Sequence, residues 1–125
     1  MGSLKDKHIM IVDDDKDTVL VLKIHLEYSG SGVDTYTSSL KAVSEFIPGK
    51  HDLILLDVKM PNMNGFQLYQ RLREIDNNCQ VCFITAFETY YQALREVFPK
   101  LDVSCFIKKP VSGKKLLEQI AGEIS

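Results

Sequence analysis

Between His51 and Gly65 the chain reads His51-Asp52-Leu53-Ile54-Leu55-Leu56-Asp57 and then Val58-Lys59-Met60-Pro61-Asn62-Met63-Asn64-Gly65. Leu53 to Leu56 is an unbroken apolar run of strand length, which is expected of a strand buried on both faces of a parallel sheet. The run ends on one carboxylate, Asp57, and breaks into a Pro/Asn/Gly loop that feeds a helical pattern. Ligands of open α/β sheets bind outside the carboxyl ends of the strands. Packing does not explain an aspartate at such a place, because an unpartnered buried charge costs several kcal/mol or more.

The remaining segments repeat that arrangement. His8 to Val12 is a short apolar strand running into Asp13-Asp14-Asp15. Val19, Leu22 and Leu26 then recur at helical spacing up to Tyr28, with Gly30 and Gly32 as the stop. Val33 to Thr37 is rich in strand formers and reads as an edge strand. Ser39 is expected to cap a helix that carries Leu40, Val43, Phe46 and Ile47 and ends at Pro48-Gly49. After Asp57 the spacing predicts a helix from about Gly65 to Ile75, with Leu68, Leu72 and Ile75 inward. Val81 to Ile84 is a fourth strand ending on Thr85-Ala86, and Glu88 to Val97 carries Tyr90, Leu94 and Val97 at helical spacing before Pro99. Val103 to Ile107 is a fifth strand followed by Lys108-Lys109-Pro110, and Ser112 caps a last helix with Leu116, Leu117, Ile120 and Ile124 on one stripe.

Five strands alternating with five helices imply an α/β fold. It is a doubly wound, five-stranded parallel sheet with right-handed crossovers and helices on both faces. All strand ends then share one edge, which collects Asp13, Asp14, Asp57, Thr85 and Lys109. No Gly-rich loop follows the first strand, which disfavours a P-loop or a dinucleotide site.

The 125 residues suit one domain, and a net charge of −2 gives no footprint for nucleic acid or a membrane surface. No apolar run approaches the roughly 20 residues that span a bilayer. Residues 1–7 read as a cloning remnant or disordered start, with the domain over residues 8–125; Asp6 stands where a myristoylation signal needs Ser or Thr. Cys79-x-x-Cys82 enters a strand instead of opening a helix, so Cys79, Cys82 and Cys105 are expected to be reduced, packed thiols in a cytoplasmic protein.

Three carboxylates on one edge repel each other unless a cation intervenes. A hard divalent ion, Mg2+ (or Mn2+), suits such a site together with waters and a phosphate. Lys109 adds compensating charge, and the Thr85 hydroxyl can hold a phosphoryl oxygen. Carboxylates act as nucleophiles towards phosphorus, and phosphoryl transfer is mostly positioning and charge neutralisation. His8, His25 and His51 fall off this edge, so the phosphoryl source would bring its own leaving group. Each feature alone has a plainer explanation: helix caps for the three aspartates, a solvated loop for the lysines, a good strand former in Thr85, a core ring in Phe106. Their conjunction on four strand ends does not.

Ile11-Val12-Asp13-Asp14, Leu56-Asp57-Val58-Lys59-Met60-Pro61-Asn62-Met63-Asn64-Gly65, Ile84-Thr85-Ala86 and Phe106-Ile107-Lys108-Lys109-Pro110 together resemble the receiver domain of two-component response regulators, over essentially the whole chain. The resemblance implies a flavodoxin-like, CheY-like (βα)5 fold with strand order 2-1-3-4-5. It also implies that Asp57 accepts a phosphoryl group from a sensor histidine kinase or histidine phosphotransfer protein, as a signalling domain that catalyses only its own phosphorylation and dephosphorylation. In the family's pattern Asp14, Asp57 and the Lys59 backbone carbonyl would hold the metal, with Asp13 acting directly or through water, and Lys109 would pair with the phosphoryl oxygens and with Asp57. Thr85 and Phe106 would be the moving switch residues. Lys59 and Phe87 sit where the family tunes the lifetime of the phosphoryl state, and a long cation with a bulky ring there is expected to hinder the attacking water. The output face would be the fourth helix, fifth strand and fifth helix, about Glu88 to Ile124, and a homodimer through it is open. Against these stand a phosphorylation-independent docking module, a phosphatase, which usually carries an acid where Lys59 stands, and a flavin carrier, which three aspartates would repel.

Overall fold

The computed structural model describes residues 4–86 and 105–124. In chain order the elements are β1 (His8–Val12), α1 (Lys16–Tyr28), β2 (Gly32–Tyr36), α2 (Ser39–Glu45), β3 (Leu53–Asp57), α3 (Gly65–Ile75), β4 (Val81–Thr85), β5 (Cys105–Lys108) and α4 (Gly113–Ile124). The helix expected over Glu88 to Val97, the first residues of the expected fifth strand and Phe87 lie outside the described residues. All neighbouring strands are parallel, in the order β2-β1-β3-β4-β5. The expected doubly wound flavodoxin-like sheet is therefore present.

Burial explains why the central strands lack alternation. Every residue of β3 and of β4 is buried. On one sheet face Met10, Val12, Ile54, Leu56 and Phe83 pack with Ala42 of α2 and with Leu68 and Leu72 of α3. On the other face Ile9, Ile11, Leu53, Leu55 and Ile84 pack with Leu22 and Leu26 of α1 and with Leu116 and Ile120 of α4. Each such side chain contributes about 1.5–3 kcal/mol on leaving water. Phe83 centres the first layer, edge-on to Phe66 at 5.1 Å and to Tyr69 at 5.8 Å. β2, an edge strand as expected, is only half-buried.

Four expectations need correction. The cap of α2 is Ser38, whose side chain accepts from Lys41 N–H at 3.3 Å; Ser39 is the first helical residue and is buried. Ala42 faces the core, while Leu40 and Ile47 are each 54% exposed. Ile75, the last residue of α3, is likewise exposed at 46%. The packed chain starts before His8: Leu4 is buried against the second layer, and its carbonyl accepts from the Ser31 hydroxyl at 2.9 Å. Finally, Cys82 and Cys105 form a disulfide, so they are not reduced thiols in this structure. The C-x-x-C spacing drew attention to Cys79, whereas the parallel register sets Cys105 directly opposite Cys82 with Cα atoms 4.7 Å apart. Cys79 is buried outside the bridge.

Among the described residues no helix is long and apolar enough to cross a membrane. Helix α3 starts tight against the strand that carries Asp57, since a Cβ on Gly65 would overlap the Asp57 carbonyl oxygen and crowd the Val58 backbone. A Cβ on Gly122, within α4, meets nothing. Gly65→Ala is accordingly expected to destabilise the fold by about 1–3 kcal/mol, and Gly122→Ala to stabilise it by up to ~1 kcal/mol. Urea unfolding of the two variants checks the contrast; equal effects would contradict this packing.

Candidate functional site

Each side chain of the site is placed by the end of a strand. β1 stops at Val12, where the Asp13 N–H donates to the Tyr36 carbonyl at 3.1 Å. Asp13 is fully buried, and its Oδ1 accepts from the Asp15 N–H at 3.0 Å. Asp15 itself caps α1 by accepting from the N–H groups of Asp17 and Thr18. These backbone bonds hold its carboxyl below the usual carboxylate range. The three aspartates thus divide between capping, by Asp15, and the sheet edge, at Asp13 and Asp14.

Asp57 is the last residue of β3 and only 6% exposed. Beyond it the loop closes through the Gly65 N–H donating to the Val58 carbonyl at 2.9 Å. Asn62 takes a positive φ of 69°, a conformation Asn tolerates well. Asn64 then opens α3 with a capping box to Gln67, both bonds near 3 Å. Lys59 lies exposed in this loop.

The fourth and fifth strands complete the edge. Thr85 ends β4 and is buried, and its carbonyl accepts from the Lys109 N–H at 2.8 Å. From there Lys109 Nζ reaches across the sheet to donate to Asp13 Oδ2 at 2.6 Å and to Asp57 Oδ1 at 3.4 Å. Asp14 is exposed beside them, and one carboxylate oxygen from each of Asp13, Asp14 and Asp57 lies within 4.8 Å of the others. Phe106 is half-buried with its ring 5.4 Å from that of Phe83. So Asp13, Asp14, Asp57 and Lys109 converge, Thr85 borders them through the backbone, Lys59 and Phe106 stand on flanking elements, and Phe87 lies outside the described residues.

The sequence anticipated Lys109 beside Asp57; the shorter contact, to Asp13, it did not reveal. Nor did it show the cavity of about 440 Å3 next to Lys109, lined by Thr18, Val21, Ile84, Ala86 and Pro110 among others.

The electrostatics follow from this crowding. Burial, and then the charge of Asp13, push the Asp57 carboxyl up to about 6, against the opposing pull of Lys109. Burial acts to lower Lys109, but its bonds and attraction to Asp13 and Asp57 outweigh that and leave it raised. The ammonium therefore stays charged, and one cation faces three carboxylates. The residual charge is about −2, which a divalent cation would neutralise. An octahedral Mg2+ takes oxygens at about 2.0–2.1 Å, which puts neighbouring ligands roughly 3 Å apart and opposite ones about 4 Å. Small side-chain rotations bring three oxygens from within 4.8 Å to that spacing, so these residues fit such an ion.

A carboxyl whose value is raised on folding costs stability once it must ionise inside the protein. The loss sets in above its ordinary value of 3.8 and is complete above about 6. With chelator present, Asp57→Asn is expected to be more stable than the native protein by roughly 1–3 kcal/mol at about pH 8. That gain should vanish by about pH 3, where the carboxyl is protonated in both states. Thermal unfolding across this range checks it; a pH-independent difference would contradict the burial argument.

The sequence matches the family described as the response regulator receiver domain over residues 9–121. It is 30% identical over 115 residues to the uncharacterized transcriptional regulatory protein YkoG of Bacillus subtilis, covering 90% of this chain and 49% of that protein. The chain spans about half the length of the curated relatives it matches. Among solved structures it is similar to the non-phosphorylated HemR receiver domain of Leptospira biflexa, with a TM-score of 0.85 and 28% identity over 96% of this chain and 95% of that one. It is also similar to the CheX–CheY–BeF3–Mg2+ complex of Borrelia burgdorferi, with a TM-score of 0.82 and 26% identity over 94% of this chain and 89% of that one. With its CheY-like fold and a family match that runs through every strand of the sheet, the chain belongs to the response regulator receiver domains of two-component systems.

Proposed function

We propose that this domain is a phosphorylation-controlled switch in which Asp57 accepts a phosphoryl group from the phosphohistidine of a sensor histidine kinase or a histidine phosphotransfer protein. The observation that carries this reading is the Lys109 ammonium set between two buried carboxylates, Asp13 and Asp57, with Asp14 alongside. An Asp57 oxygen forms the new P–O bond as the P–N bond to the donor imidazole breaks. The electron pair stays on the imidazole nitrogen, which takes up a proton from solvent. No acid or base from this chain is required, in keeping with a receiver that acts only on itself and is not a conventional enzyme.

Asp13, Asp14, Asp57 and the Lys59 carbonyl would hold Mg2+ (or Mn2+), which supplies charge neutralisation for the phosphoryl oxygens; a related CheY has been solved with BeF3 and Mg2+. Lys109, released in part from Asp57, offers its ammonium to a phosphoryl oxygen. The Thr85 hydroxyl binds another, and Phe106, already against Phe83, moves into the space that Thr85 leaves. The output surface in this reading comprises β5, α4 and residues 88–97, and it serves an output partner or a second copy of the chain. Direct nucleic-acid and membrane contacts form no part of the reading, and its setting is the cytoplasm, where the kinase's phosphoryl group originates.

Intact mass after incubation with acetyl phosphate tests the proposal: one phosphoryl group gained with Mg2+, none with chelator, and none in Asp57→Asn. Gain in that variant at the native rate would overturn it. Lys109→Met removes the cation that competes with a metal for Asp13 and Asp57. It should therefore tighten Mg2+ binding by about tenfold while slowing acceptance by at least about tenfold. Calorimetry and labelling read the two effects separately, and weaker Mg2+ binding would count against the site as described. Lys59 and Phe87 are proposed to shield the phosphoryl group from water, so Phe87→Ala should shorten its lifetime; an unchanged decay rate contradicts this part.

A further inference from the structure

We propose that Cys82 and Cys105 form a thiol–disulfide modification site that ties β4 to β5 directly below the phosphoacceptor edge. The parallel register makes the two residues partners, on the same face of the sheet, with their sulphurs bonded. The two strands they join carry the rest of the site. Thr85 lies three residues beyond Cys82, about 10 Å along the strand, and Phe106 directly follows Cys105. At the upper end the same strand pair is closed by the Lys109 N–H donating to the Thr85 carbonyl at 2.8 Å. The bridge and that hydrogen bond thus bracket the segment of sheet that presents Thr85 and Lys109 to the carboxylates. The bond also closes a loop across a sequence separation of 23, and Thr85 lies within it.

The site can be reached. β5 is an edge strand, and Cys105 keeps 6% exposure while Cys82 has none. Cys105 is therefore the sulphur that reagents meet first. Glu123 of α4 brings a carboxylate oxygen within 4.8 Å of both sulphurs. In the reduced protein the strand register holds the two sulphurs opposite each other, so oxidation of one by a peroxide leads to the disulfide. The Cys105 thiolate attacks the O–O bond of hydrogen peroxide, giving a sulfenic acid and expelling hydroxide, which leaves as water with the thiol's proton. The Cys82 sulphur then attacks the sulfenic sulphur, and a second water departs with its proton. Two thiols and one peroxide yield one disulfide and two waters, with two electrons passing from sulphur to oxygen.

The test uses the whole chain, reduced with dithiothreitol, desalted, and treated with hydrogen peroxide. Intact mass should fall by two hydrogen atoms, and peptide mapping should find Cys82 joined to Cys105. Cys79→Ser should behave identically. The oxidised form should unfold roughly 10 °C higher than the reduced form, and its Lys109 amide should exchange with deuterium at least about tenfold more slowly. Oxygen adducts without a cross-link, a cross-link to Cys79, or equal exchange of that amide in the two forms would overturn the proposal. None of these readouts depends on phosphoryl acceptance at Asp57, so a failure here is distinguishable from a failure of the proposed function.

Discussion

Everything at the functional edge depends on one contact, the Lys109 ammonium held 2.6 Å from the fully buried carboxylate of Asp13. A buried carboxylate such as Asp13, left without the half-buried ammonium, would carry a desolvation penalty of several kcal/mol. The pair is therefore kept together, although it is weak evidence for stability in itself. What it achieves is placement. Lys109 sits at the end of β5 and Asp13 at the end of β1, with β3 and β4 between them. A cation spanning that distance fixes the whole strand-end edge around Asp57.

The surroundings explain why the pair does not quench the site. One ammonium shared between Asp13 and Asp57, at 2.6 and 3.4 Å, leaves the second carboxylate only partly compensated. Burial, and then the charge of Asp13, raise Asp57 to about 6. Asp14, exposed at the rim, would give an incoming cation an accessible first ligand in the proposed site. A divalent cation would complete the neutralisation and restore Asp57 to its anionic form.

Much of this was legible in the residue order, and for identifiable reasons. Leu53 to Leu56 reads as a doubly covered strand, which sets Asp57 at a strand end, and the same logic places Asp13, Thr85 and Lys109. The helix over Gly65 to Ile75 carries both its cap and its apolar stripe in sequence, and it lies where spacing put it. The misread parts depend on information that linear spacing does not hold. Ser38 and Ser39 are equivalent caps on paper, and only the observed backbone shows that Ser38 is the cap and Ala42 the core-facing residue. The Cys82–Cys105 bond follows from β4–β5 register, a relation between residues 23 apart. Likewise, whether Lys109 favours Asp13 or Asp57 is decided by about an ångström of side-chain reach.

The most direct test of this account follows the Asp57 side-chain carboxyl by carbon NMR through a pH titration, with and without Mg2+. Without metal the midpoint should lie near 6, displaced well downward when Mg2+ is added. A midpoint at the ordinary carboxylate value of about 4, unmoved by Mg2+, would mean that Asp57 is neither crowded by Asp13 nor part of a cation site, and the account would fail at its centre.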